Sequence, residues 1–211
     1  MFRALRTFYS WAERRYGVPN PAQQLAPPHR RQLLPRTLNT DQVDHLLHVA
    51  AGRRDRALLL LLLDTGLRIG EASSLSRHTV AKQTLTVSGK TGQREIPVSP
   101  QVLQALTGVG VGPVLWVGPK GELTVSGLAQ AVRRALRRAG IAGGPHLLRH
   151  TFARLYITAG GDVFSLQRIL GHRQIETTKR YVHLDLQDVV NQHARFSPIA
   201  RRDYRQPRLL Q

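Results

Sequence analysis

Seven apolar residues stand in a row from Ala57 to Leu63, "ALLLLLL", between the charged "RRDR" and Asp64. The run is far below the roughly 20 residues that cross a bilayer. Gly66 follows as a helix stop, so the segment reads as a helix from about Arg54 to Asp64. A helix apolar on every side has to be enclosed by the rest of the chain. With 211 residues, 41% of them hydrophobic, the chain can build one sizeable core around it and part of a second domain.

The flanking pattern predicts what encloses it. Residues 3–16 read as a helix: Phe2 just ahead of it and Leu5, Phe8, Tyr9 and Ala12 within it fall at helical spacing, and Gly17-Val18-Pro19 ends the run. The stretch 18–37 is rich in proline and has no period, which marks a linker. Asn39 or Thr40 caps a helix running to Ala51, and a short one starts near Ile69. The period then changes to two. Thr84–Ser88 and Arg94–Ser99 alternate as strands around the turn "GKTGQ", and Pro113–Gly118 reads as a third strand. Helices return at about 125–139, 146–159 and 162–170, then 174–182 and 185–194. The expected fold is mainly α with a small antiparallel β-sheet. A basic, flexible tail is expected over 196–211.

Charge narrows the partner. The net charge is +18, from 31 basic against 13 acidic residues, and lysine occurs only at positions 82, 90, 120 and 179. An arginine excess of this size calls for a polyanion, with nucleic acid first. The chain has no cysteine, which excludes disulfides, thiolate metal sites and a cysteine nucleophile. The N-terminal stretch has arginines but also Glu13 and no apolar cleavage region, so no targeting peptide is read there. No membrane segment is read, and a cytoplasmic location is the expectation.

Six positions form one chemical set: Arg68, Lys90, His146, Arg149, His172 and Tyr181. Each has an ordinary explanation alone, as a surface charge, a solvated turn lysine, a helix cap or a core aromatic. Together they suit attack on a phosphodiester without a metal. Two guanidinium forks hold non-bridging oxygens and meet growing negative charge. A tyrosine is a candidate covalent nucleophile, and histidine and lysine move protons. No carboxylate cluster for Mg²⁺ and no glycine-rich phosphate loop stands in the sequence, so no metal and no cofactor are expected. His146 and Arg149 lie three apart in a first helical turn, whose positive end also favours phosphate.

In that order, the strings "TGLRIGEASSL", "HLLRHTFA", "LGH" and "TTKRYVHL" resemble the catalytic domain of tyrosine recombinases, the phage integrases and Xer-type enzymes. The segment "LTVSGKTGQREIPVS" is similar to the family hairpin that carries its lysine. The resemblance covers about residues 38–190 and implies a site-specific recombinase or integrase acting on double-stranded DNA. It implies that Arg68 and Arg149 clamp the scissile phosphate and that Tyr181 attacks it. A 3′-phosphotyrosyl link and a free 5′-hydroxyl would result. Lys90 would be the general acid, His146 would assist proton transfer at the nucleophile, and His172 would hydrogen-bond the phosphate. Gln93 stands ahead of Arg94 where another base would be expected, which leaves Lys90 as the lysine candidate. His150 is expected to support the site, turned away from the His146–Arg149 face, and Glu71 to orient Arg68 or a neighbour.

The resemblance also implies four protomers on two duplexes, and bond energy conserved without ATP. Its domain reading is a last helix of a core-binding domain at 1–17, a linker at 18–37 and the catalytic domain at 38–195, in a chain short at its N-terminus. Residues 184–195 would pack on a neighbouring protomer or fold back on their own domain. Two other readings stay open. A type IB topoisomerase-like relaxase shares the chemistry without synapsis, and an inactive DNA-binding protein shares only the charge.

Overall fold

The structure, a computed structural model, describes residues 2–25, 35–80, 83–89, 92–110, 112–172, 174–179, 181, 190, 193 and 195. The chain forms two compact units, Met1–Leu33 and Leu34–Gln211.

The first unit is built on helix α1, Phe2–Tyr16. Its aromatic side chains pack against one another along the helix. Phe8 lies 5.4 Å from Tyr9 and 5.9 Å from Trp11, and Trp11 meets Tyr16 edge-on at 5.5 Å. Phe8, Trp11 and Tyr16 all remain exposed. Past Gly17 the chain folds back, and Asn20 and Gln23 donate to the Glu13 carboxylate.

In the second unit α2 spans Thr40–His48 and opens on a reciprocal cap, Asn39 Oδ1 accepting from the Gln42 amide while the Gln42 side chain accepts from the Asn39 amide. Helix α3, Gly52–Thr65, is the enclosed helix the apolar run predicts: Leu58, Leu59, Leu61 and Leu62 are each at most 1% exposed. Helices α4 (Ile69–Ser73) and α5 (Pro100–Thr107) flank the hairpin. Strands β1 (Thr84–Gly89) and β2 (Gly92–Pro97) pair antiparallel, Leu85 opposite Ile96 and Val87 opposite Arg94. Leu85, Val87 and Ile96 are the buried face of this ribbon, as two-residue alternation requires.

The third strand is not there. Of 113–118 only β3, Val117–Gly118, forms a strand, and its partner is β4, Gly121–Glu122, not the first hairpin, while Val114 makes a single bridge to Ser76. Leu115 and Trp116 go into the core instead: Trp116 is 1% exposed and its Nε1 donates to the Ala72 carbonyl at 2.6 Å. Burying an indole with its N–H satisfied outweighs a ladder position there.

Three further helices complete the core: α6 (Val125–Arg138), α7 (Pro145–Thr158) and α8 (Val163–Leu170). Asp162 caps α8 through the Phe164 and Ser165 amides. Expected at 174–182, the next helix shortens to α9, Glu176–Lys179, with Tyr181 in the turn after it. The expected helix at 185–194 lies almost wholly outside the described residues, and the tail 196–211 lies outside them entirely. No helix among the described residues is long and apolar enough to cross a membrane.

Candidate active site

Two helix ends converge on Arg149. Helix α3 stops at Gly66 and α8 stops at Gly171, both left-handed C-caps with φ of 62° and 64°. Their last carbonyls therefore point out of the helices. Arg149 Nη1 donates to the Gly66 carbonyl at 2.7 Å and Nη2 to the Leu170 carbonyl at 2.8 Å. Helix C-termini carry partial negative charge, which suits a guanidinium buried to 4% exposure.

Nη2 also lies 3.0 Å from His172 Nε2. A guanidinium can only donate, so Nε2 accepts and the ring proton sits on Nδ1. Nδ1 is 2.8 Å from the hydroxyl of Thr178, a fully buried residue of α9. One polar chain thus runs from α7 through His172 to the helix just before the tyrosine.

Tyr181 is 4% exposed, and its amide donates to the Thr178 carbonyl. Its hydroxyl is 2.6 Å from His150 Nδ1, with ring centroids 5.8 Å apart. This corrects the expectation that His150 turns away. Four residues rotate a helix about 400°, which returns His150 to within about 40° of His146. The expected partner at the nucleophile, His146, is exposed in the first turn and has no hydrogen bond to Tyr181 among the described residues.

A second cluster adjoins the first. Glu71 in α4 accepts from the Arg68 amide at 2.9 Å and from Arg68 Nη1 at 3.2 Å. It is also held by Arg94 of β2 through two parallel bonds, 3.0 and 3.1 Å, while Arg94 Nε donates to the Ile169 carbonyl near the end of α8. Glu71 does orient Arg68, as expected; Arg94 was not foreseen. Burial pushes the Glu71 carboxyl up, but the Arg94 hydrogen bonds, the Arg68 amide and both charges outweigh it and hold the carboxyl below its ordinary value.

Two guanidiniums, from Arg68 and Arg94, hold the Glu71 carboxylate, and the third, Arg149, lies near enough to feel these charges. The consequence shows at Arg149, whose pKa falls to about 10, first through burial and then through repulsion from Arg68. Among the described residues, three guanidiniums thus stand near one carboxylate. Lys90 lies outside the described residues, but Gly89 before it lies against the site: a Cβ there would stand 2.8 Å from Glu71 Oε1.

A helical domain with one ribbon, its buried arginine and tyrosine drawn together by converging helix ends, is the catalytic-domain fold of the tyrosine recombinases. The crystal structure of XerA recombinase matches 93% of the chain and 74% of its own, with 27% identity and a TM-score of 0.66. The XerH site-specific recombinase bound to its difH substrate shares the fold, at a TM-score of 0.68 and 24% identity over 90% of this chain and 62% of that one. The profile of the Phage integrase family matches residues 36–188. Tyrosine recombinase XerC of Rhodospirillum centenum is 36% identical over 94% of the chain, and that of Xylella fastidiosa 33% over 96%. The chain spans 65% of the length of the first and 74% of the second. It belongs to the phage integrase family, on its Xer-like tyrosine-recombinase branch.

Proposed function

We propose that the chain cuts and rejoins DNA strands as a site-specific recombinase, with Tyr181 as nucleophile and a 3′-phosphotyrosyl intermediate. The observation that carries this reading is the electropositive centre beside Tyr181, where a buried Arg149 is joined to His172 and makes no ion pair among the described residues. A phosphodiester supplies the anion. In this reading Arg149 and Arg68 hold the non-bridging oxygens, and their bonds tighten as the phosphorus gains a fifth ligand. His172, held between Arg149 and Thr178, stands beside the phosphate as part of this clamp. His146 lies exposed one turn from Arg149, and Lys90 protonates the leaving 5′ oxygen. The reaction uses no metal and no ATP. The partner is double-stranded DNA, and strand exchange takes four protomers on two duplexes.

Covalent trapping tests this. The protein is mixed with a pool of nicked duplexes whose cleaved 5′ fragment diffuses away, and peptides bearing nucleotides are mapped by mass spectrometry. The adduct is expected on Tyr181 and absent in Tyr181→Phe, with DNA affinity nearly unchanged because one hydroxyl contributes little to binding. No adduct from this chain or from an upstream-extended form would end the reading.

A further inference from the structure

We propose that His150 is the catalytic base of Tyr181: it takes the phenolic proton as the tyrosine attacks and returns it on rejoining. The inference rests on the strand-transfer reading above and adds a residue and a step to it.

Tyr181 has to lose a proton to become a nucleophile, and a phenol is almost fully protonated near neutral pH. A base must therefore stand within hydrogen-bond reach of Oη, about 2.6–3.2 Å. His150 Nδ1 does so at 2.6 Å. The two other histidines expected at the site are placed for different work. His172 has Nε2 against Arg149 and Nδ1 against Thr178, so both ring nitrogens serve the phosphate clamp. His146 is exposed and has no hydrogen bond to Tyr181 among the described residues. His150 is half-buried, so its Nδ1 reaches the covered phenol while its ring keeps access to solvent for the proton it has taken. It also follows Arg149 directly, so the clamp and the base move on one rigid helix.

The step balances. The Tyr181 Oη–P bond forms and the P–O5′ bond breaks. The phenolic proton passes to His150 Nδ1, and a proton from the general acid, assigned above to Lys90, goes to the leaving 5′ oxygen. Rejoining reverses each transfer: the incoming 5′-hydroxyl gives up its proton, and the departing phenolate recovers one from His150.

The test is single-turnover cleavage of a nicked duplex, chosen from the reactive pool, by the whole chain. Both His150→Ala and His150→Asn are expected to slow adduct formation about 10²-fold or more, the usual worth of positioned proton transfer. Asparagine keeps a hydrogen-bonding atom near the Nδ1 position but cannot take a proton, so it separates catalysis from positioning. Thermal melting of each variant identifies loss of fold, and added imidazole is expected to restore part of the His150→Ala rate. A duplex with sulfur replacing the bridging 5′ oxygen needs no acid for its leaving group. It should relieve Lys90→Ala and leave the His150 defect in place. A folded His150→Asn within threefold of the unmodified chain overturns the proposal, as does relief of His150→Ala by the sulfur substrate. If neither the unmodified chain nor an upstream-extended form makes an adduct, the strand-transfer reading fails first, and this one with it.

Discussion

Arginine is always charged in water, yet Arg149 sits where that charge is unwelcome. Its pKa falls to about 10, through burial first and Arg68 second, because the helix-end carbonyls offset only part of the cost. Glu71 is the counterweight. It is 6% exposed and joins Arg68 to Arg94. Removing one partner of a buried ion pair strands the other, at about 3–5 kcal/mol. Glu71→Gln should therefore destabilise the fold by about that amount at neutral pH in denaturant unfolding. The pH dependence has a definite sign. The folded carboxyl lies below its ordinary 4.5, so its contribution is complete above 4.5 and is lost as the pH falls through the lowered folded value. The gap between the native chain and Glu71→Gln should narrow below about pH 4.5. A gap that stays constant on acidification would mean that the ionised pair contributes nothing.

At the scale of elements, the site depends on where helices stop. Gly66 and Gly171 were legible in the sequence as stops, and so were the enclosed α3, the ribbon and the order of the six catalytic candidates. What was illegible follows from physics that sequence spacing does not carry. Arg94 and Glu71 are 23 residues apart, and their bidentate bond exists only because β2 folds beside α4. Helix α5 opens on Pro100 after the Ser99 cap, and its short run follows a strand so closely that no helical period stands out. Residues 113–116 have strand composition, but Leu115 and Trp116 go into the core while Pro113 stays exposed. Gly66 shows how strictly an element end is set. A Cβ there would strike Phe152, and Leu170 Cδ2 at 2.7 Å, on a backbone with φ of 62°. The left-handed backbone costs a larger residue about 1–2 kcal/mol and overpacking adds about 1–3. Gly66→Ala should thus lose stability by chemical denaturation and should also slow cleavage, because the Gly66 carbonyl holds Arg149. A variant as stable and as active as the native chain would show that this helix end is not under constraint.

Across the whole molecule the charge is unevenly used. The net charge is +18, and part of it is laid out along α6. There Ala131, Val132, Ala135 and Leu136 face the core, while Arg133, Arg134, Arg137 and Arg138 are exposed between them. Three of these arginines, with Gln130, Ala142 and Gly143, line an open concavity of about 440 Å³. Guanidiniums presented at this spacing without an acidic neighbour among them suit a row of phosphates, and each phosphate contact releases counterions. Binding of duplex DNA should therefore weaken steeply with salt. Replacing Arg133 and Arg137 with glutamine should lower the slope of log K against log salt by roughly 2, about one for each lost contact. The loss of affinity should be similar on unrelated sequences, because phosphate contacts carry no base information. Cleavage within the bound complex should change little, since neither arginine belongs to the cluster around Tyr181. An unchanged slope would place the DNA on another face of the domain. A loss confined to one sequence would turn these arginines into base readers rather than phosphate contacts.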